Sequence, residues 1–488
     1  MNLEPADAAY PGAAYDAAWR ELTFPAGYTN PKPKRRYHVV IVGAGSAGLI
    51  TAIGAAGLGA RVALIEREAM GGDCLNVGCV PSKALLEFTR RSNGVASFEA
   101  AFEWLRKVRA EISEHDSVER YTQNGVDVFL GSARLLDDIT VQVADRRLSA
   151  RRIVIATGAR AAVPPIPGLA ECRPLTNETL FDLREPPASL AILGAGAIGC
   201  EMAQAFVRLG VDIHLFEMAD RVLPLEEPEA STAVARSLQR DGVALHLSTP
   251  VSSISCHDSK VTVHSPDTQI SADRILVAAG RCANIEGLNL DAVSVTTTAG
   301  LVSVDHRLRT SNSRIFAAGD VCSRQQFTHN ADAQARIVIQ NALFAPTAST
   351  AKLIIPHCTY TNPEVARVGQ SKTNLEQGSK GFDVYRVEFG DLDRGRTAGD
   401  TTGFVEILTA KGSDQILGAT IVGHDAGEQI ASLCLAMNHG IGLGGLGKAV
   451  LPYPTRAEYL RRLADNYNRT RLTPTTKRIM SRWFRWSI

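Results

Sequence analysis

Two cysteines, Cys74 and Cys79, are separated by four residues in the stretch MGGDCLNVGCVPSKALLEF. In a regular helix, positions i and i+5 point about 140° apart. Paired thiols need closer Cα atoms than that geometry offers, so a pair here requires a distorted segment. Gly71, Gly72 and Gly78 give the backbone the latitude, and Pro81 is tolerated in a helix's first turn. A thiol near a helix start has a depressed pKa, so one of the two can be held as thiolate. Two reduced core cysteines are the alternative, opposed by the glycines and by nearby Lys83.

A second chemistry-bearing pattern occurs twice. YHVVIVGAGSAGLI is a buried apolar strand running into Gly43, Gly45 and Gly48, and SLAILGAGAIGCEMAQAF does the same with Gly194, Gly196 and Gly199. Each is followed by a helix pattern and a second strand ending in an acid, Glu66 or Glu217, 23 residues after the first glycine. The first glycine permits the tight turn, the second lets backbone approach a pyrophosphate, and the third lets helix pack on strand. The helix N-terminus offers unpaired N–H groups to phosphate, and the acid can accept hydrogen bonds from a ribose diol. Two full copies indicate two dinucleotides. An acid at the second ribose repels a 2′-phosphate, so Glu217 favours NADH over NADPH; Arg221 reads as a surface ion pair.

These sites need elements to hold them. The 488 residues suggest about three domains. With 52 basic against 51 acidic residues the net charge is +1, without the basic excess of a nucleic-acid binder. Apolar residues at 45% and charged residues at 21% are ordinary globular values. No apolar run is long enough to span a bilayer. No secretory signal is visible, and a cytoplasmic location is expected. RRIVIATGAR, with Thr157 and Gly158, resembles DRILVAAGR, with Gly280. FVEILTA and QILGATIVG read as strands of an α+β domain, with helical periodicity from Gly427 and again from Thr455. The remaining seven cysteines, Cys172, Cys200, Cys256, Cys282, Cys322, Cys358 and Cys434, show no redox or zinc spacing and are expected in the core. His357 beside Cys358 lacks further metal ligands, and His329 is expected near the first nucleotide. The tail KRIMSRWFRWSI reads as a helix end packed on the protein, with a membrane-surface segment as the alternative.

GGDCLNVGCVPSK resembles the redox-disulfide signature of the class I pyridine nucleotide–disulfide oxidoreductases, flavoproteins that carry FAD. ATGAR, AAGRCAN, SRIFAAGDV, YTNPEVARVG and GHDAGEQI resemble that family's further motifs, in order, over roughly residues 37–470. The resemblance implies an α/β fold with two Rossmann-like dinucleotide-binding domains and a C-terminal α+β dimerisation domain. The expected division is an arm at 1–36, an FAD domain at 37–160 and 283–350, an NAD(P) domain at 161–282, a dimerisation domain at 351–470 and a tail at 471–488. Gly43, Gly45, Gly48, Glu66, Gly72, Lys83, Thr157, Gly158 and Asp320 would serve FAD, with Asp320 on the ribityl chain. Gly194, Gly196, Gly199, Glu217 and Gly280 would serve the nicotinamide nucleotide. Cys79 would be the thiol against the flavin, Cys74 the thiol facing substrate, and Lys83 and Glu201 an ion pair near the flavin. Electrons would pass from NADH to FAD, to a Cys74–Cys79 disulfide, and on to a small molecule or ion. The protein would be a homodimer with no nucleic-acid partner and no transmembrane segment.

The sequence departs from its relatives at one position. Where disulfide-reducing members have His-Pro-Thr with a later glutamate, this chain has Tyr453, Pro454, Thr455 and Glu458. An imidazole titrates near 6.5 and a phenol near 10, which leaves the phenol roughly 4.8 kcal/mol further from poised. Tyrosine there is similar to the mercuric reductase core, and Cys74 and Cys79 could transiently hold a soft metal ion. No resident metal is expected. The sequence has neither an N-terminal CxxC module nor a cysteine pair in its tail, and so the acceptor stays open between a soft metal ion and a disulfide. A dihydrolipoamide dehydrogenase is the alternative within the family. A thiol-independent diaphorase or transhydrogenase, or a redox sensor, are alternatives outside it.

Overall fold

The computed structural model describes residues 10–92, 94–258, 260–378 and 381–487. The chain divides into two compact units, Met1–Met218 with Asp241–Leu353, and Ala219–Arg240 with Ile354–Ile488.

The lead segment carries helix α1 (Ala13–Thr23), with Asp16, Trp19 and Thr23 buried. The expectation of an arm is thereby sharpened. Asp16 accepts from Arg109 at 2.7 Å and pairs with Arg106 at 3.3 Å, and both arginines are almost wholly buried. No local pattern in the first 36 residues announces this, because the partners lie some ninety residues downstream.

The first glycine-rich unit is β1 (Tyr37–Val42), α2 (Ser46–Gly57) and β2 (Val62–Glu66). It leads into α3 (Gly72–Val77), α4 (Cys79–Arg91), α5 (Phe98–Ser113), β3 (Val126–Leu130) and β4 (Arg146–Ile155). The strands pair in parallel in the order β3-β2-β1-β4. Their continuous apolar runs, YHVVIV and VALIE, are those of strands covered on both faces. One face packs against α2 through Val39, Ile41, Ala52, Val62 and Leu64. The other rests on Val40, Ala63, Ile65 and Leu148.

The second glycine-rich unit repeats this order. Strand β5 (Ser189–Leu193), α6 (Ala197–Arg208), β6 (Asp212–Phe216), β7 (Ala244–His246) and β8 (Arg274–Val277) give a parallel sheet β7-β6-β5-β8. The chain then returns to the first sheet, where the strand Ile315–Ala317 pairs with β4, Ile315 opposite Ile153. The two short phrases alike in sequence meet in space: Ala159–Ala161 pairs antiparallel with Arg281–Ala283.

The second unit has a five-stranded antiparallel sheet. In chain order its strands are β9 (His357–Thr359), β10 (Glu364–Gly369), β11 (Phe382–Glu388), β12 (Phe404–Ala410) and β13 (Ile416–Gly423), arranged β9-β10-β13-β12-β11. Helix α7 (Ala426–Asn438) and α8 (Glu458–Thr470) cover it through Ile430, Leu433, Tyr459 and Leu463. Helix α9 (Pro474–Trp486) follows and has no buried residue. The tail is therefore not packed on the protein as expected, since its apolar side chains find no apolar surface within the unit.

The seven cysteines expected in the core need a second correction. Cys172 and Cys256 form a disulfide across 84 residues. The loop after Pro167 runs beside the strand Ser253–His257, with Ile254 N–H donating to the Pro167 carbonyl at 2.8 Å, and so brings the two together. Of the other five, Cys200 is buried and the rest are half-buried. No helix among the described residues is long and apolar enough to cross a membrane.

Candidate active site

The thiol site is built at a helix break. Helix α3 ends at Gly78, whose backbone (φ −131°, ψ −113°) belongs to no helix, and Cys79 opens α4. A Cβ at Gly78 would meet the Asp73 carbonyl oxygen at 2.8 Å, so the break fits glycine. In this structure both cysteines are thiols, the reduced form of the pair that the resemblance implies. They are hydrogen-bonded to each other. That contact lowers the Cys79 thiol to about 6, helped by the Lys83 cation and by Thr328. Cys74 is pushed up by the same contact and by burial. Helix α4's N-terminus adds its partial positive charge at Cys79. Cys79 reaches solvent and Cys74 is half-buried.

Around the pair the polar groups are held in place. Lys83 Nζ donates to Glu201 Oε2 at 2.7 Å, with Glu201 on α6 almost fully buried. Thr328, at the start of the helix Thr328–Leu343, lies 3.5 Å from Cys79 Sγ. Asp73 accepts from Asn177 at 2.7 Å and pairs with Arg281 at 3.1 Å. Arg281 reaches Asp320 at 3.8 Å. Burial pushes the Asp320 carboxyl up to about 6 against the pull of Arg281. Thr328 and Arg281 escaped the sequence reading, because only the fold carries them to the cysteines. Asn76 anchors the segment from below. Its amide donates to the carbonyls of Met70 and Gly72, and its side-chain oxygen accepts from Trp19 Nε1 of α1 at 2.7 Å.

The glycine turns match between the two glycine-rich repeats. Gly43 and Gly194 both have positive φ, +103° and +100°. A Cβ on Gly48 or Gly199 would run into the carbonyl of Gly43 or Gly194, which is the close helix-to-strand approach a third glycine serves. Beside Gly45 a Cβ would find only Gly72 Cα, at 3.7 Å, and beside Gly196 nothing within 4 Å, so the approach to each helix start is open. Neither α2 nor α6 has a side-chain cap or an acid in its first turn. Their first N–H groups thus have no side-chain partner and suit phosphates. Glu66 Oε2 accepts from Ala44 N–H at 2.7 Å, and Oε1 from Arg67 and Glu68 N–H at 2.8 Å. Glu217 Oε2 accepts from Ala195 N–H at 2.8 Å in the same way. Each acid therefore also fixes its own turn. A cleft lined by Gly43, Gly45, Glu66, Gly72, Thr157 and Gly158 brings together six of the nine expected FAD residues, while Gly48, Lys83 and Asp320 do not line it. Thr157 donates to the Asn284 carbonyl at 2.7 Å, and Gly158 and Gly280 have positive φ. These residues fit a dinucleotide. Arg221 pairs with neighbouring Asp220 at 3.4 Å.

Tyr453 and Glu458 lie in the second unit and have different partners. The Tyr453 hydroxyl donates to Asp393 Oδ2 at 2.8 Å, and Glu458 accepts from Arg462 at 2.7 Å. Asp393 pushes the exposed phenol above its usual value, further from neutrality. His357 Nε2 donates to Glu226 Oε1 at 2.7 Å beside Arg367, and no group of metal-ligating side chains occurs among the described residues.

Two family models match: "Pyridine nucleotide-disulphide oxidoreductase" over residues 37–335, and the dimerisation domain of that family over residues 355–464. A mercuric reductase of Staphylococcus aureus is 33% identical over 454 residues, covering 89% of this chain and 83% of the relative. A dihydrolipoyl dehydrogenase of Chlorobaculum tepidum is 32% identical over 455 residues, covering 88% and 96%. The HOCl-induced flavoprotein disulfide reductase RclA from Escherichia coli superposes with a TM-score of 0.81 at 29% identity, covering 88% of this chain and 99% of that one. The Cu(II) complex of a cysteine-to-serine mutant of that reductase gives 0.83. These are FAD-dependent enzymes that use NAD(P)H, and the chain belongs to the pyridine nucleotide–disulphide oxidoreductases.

Proposed function

We propose that this protein is an NADH-dependent flavoprotein reductase that delivers electrons through Cys74 and Cys79 to a soft metal ion or a small disulfide. The observation that carries the reading is the thiol pair at the helix break, with Cys79 poised as thiolate near pH 6 beside Lys83. Bound FAD would supply two-electron transfer between nicotinamide and the thiols, held by the Gly43–Gly48 turn, Glu66 and Asp320. Glu217 would accept from the ribose of NADH in preference to NADPH. The Lys83–Glu201 pair keeps a cation beside the thiolate.

When the dithiol gives up two electrons it forms the S–S bond and releases its protons. A disulfide acceptor takes up two electrons and two protons, and a divalent soft ion takes up electrons alone. Only the first needs a proton donor near neutrality, and Tyr453 is held above its usual range by Asp393. That favours an ion over lipoamide. The Cu(II) complex of RclA adds cupric ion to mercuric ion as a candidate. The chain acts as a homodimer through residues 355–464, in keeping with the matched dimerisation model.

The test is NADH oxidation by holoprotein against mercuric ion, cupric ion, lipoamide, glutathione disulfide and a quinone, with Cys79→Ser alongside. Metal-ion or disulfide reduction lost in the variant supports the reading. Full activity in Cys79→Ser overturns the thiol route and leaves a diaphorase.

A further inference from the structure

Helix α9 presents two opposed faces to solvent. At 100° per residue, Ile479, Met480, Trp483, Phe484 and Trp486 occupy an arc of about 160°. Lys477, Arg478, Arg482 and Arg485 occupy the opposite arc of about 140°. The two sets do not mix. Thr473 caps the helix, accepting from Thr476 N–H at 3.1 Å, and Pro474 stands at its first position, so the start is well defined. Every side chain in the helix except Thr476 is exposed, with Ile479 at 61%, Trp483 at 58% and Trp486 at 80%. Isolated exposed apolar residues are ordinary, but five on one stripe mark an interaction surface.

The charge around the stripe narrows the partner. After Asp465 the sequence has no acidic residue, while Arg469, Arg471, Lys477, Arg478, Arg482 and Arg485 are all cationic. We propose that α9 binds the surface of an anionic lipid bilayer and lies in its interfacial plane. The apolar arc enters the boundary between headgroups and acyl chains, and the basic arc meets phosphate headgroups. Indole rings suit that boundary because each has an apolar body and one N–H donor. A protein partner seated on the apolar stripe would use one face and leave the basic arc in water, whereas a lipid surface uses both. No covalent or redox step is involved, and the proposal is independent of the electron acceptor.

The experiment is flotation of full-length holoprotein with vesicles of phosphatidylcholine alone, or with one part in four of phosphatidylglycerol. The protein should float with the anionic vesicles, remain below with the neutral ones, and be released as salt is raised. Trp483→Glu with Phe484→Glu should lower the bound fraction more than tenfold. Arg482→Gln should weaken binding about fivefold, at about 1 kcal/mol per basic residue. NADH oxidation with a soluble acceptor should be unchanged in both variants. Failure of the wild-type holoprotein to float with anionic vesicles overturns the proposal, whatever the variants do. Loss of the dimer on size exclusion in the Trp483/Phe484 variant, with wild-type flotation absent, assigns the stripe to a second copy instead.

Discussion

At the residue scale, the thiol pair is unequal by construction. Cys79 is lowered by its contact with Cys74 and by Lys83, whereas Cys74 is raised. Above about pH 6 Cys79 is thiolate, and below it the proton returns. Alkylation by iodoacetamide, read by mass spectrometry, should therefore reach Cys79 first and show a midpoint near 6. Lys83→Met removes the neighbouring cation and should raise that midpoint by about one pH unit. A midpoint unchanged in the variant would mean that Lys83 does not act on the thiol. Tyr453 poses the converse case. Its hydroxyl is tied to Asp393, whose upward push outweighs the opposing pull of Arg462. Tyr453→His introduces a group that titrates near 6.5, and lipoamide turnover should rise at least roughly tenfold. A rate that stays at the wild-type value would show that something other than a base is missing.

At the element scale, the parts legible in the sequence are those whose cause is local. The glycine turns, the strands β1 and β2, and the break between α3 and α4 follow from residues within a few positions of each other. Asp16 and Arg109, Cys172 and Cys256, and Tyr453 and Asp393 were not legible, because each pair is far apart in sequence and no spacing rule joins them. Helix α1 shows the consequence. Asp16 faces two buried arginines, so Asp16→Ala leaves their charge without its partner and should cost about 3–5 kcal/mol in urea denaturation. A cost below about 1 kcal/mol would mean that the lead contributes little. On the proposed reading the Rossmann acids hold a ribose as well as their own turns. Glu217→Ser should shift the NADPH-to-NADH ratio of kcat/KM upward by roughly tenfold, and should also lower the Tm, because Ala195 N–H loses its acceptor. A shift in preference with an unchanged Tm would contradict the hold on the turn.

At the scale of the whole molecule, the repeated unit was readable in advance, and the fold has both Rossmann units. What composition could not show is the surface. A net charge of +1 hides a cationic stretch in the last twenty residues, since charges elsewhere cancel it. Nor does composition reveal that the apolar tail residues face outward. Those facts depend on where the second unit's core stops, at Tyr467 of α8.

The return of the chain to its first sheet has a consequence during synthesis. Strand Ile315–Ala317 completes the sheet begun at Tyr37, and Asp320 follows directly. A ribosome that has made the first glycine turn must still make the entire second Rossmann unit before that sheet can close. A nascent chain cut at residue 300 should release with the second Rossmann unit folded but retain no flavin, whereas one cut at 353 should retain it. Flavin retained by the shorter fragment would contradict this order. Assembly thus runs inside out: the site whose residues come first is the later of the two to be finished.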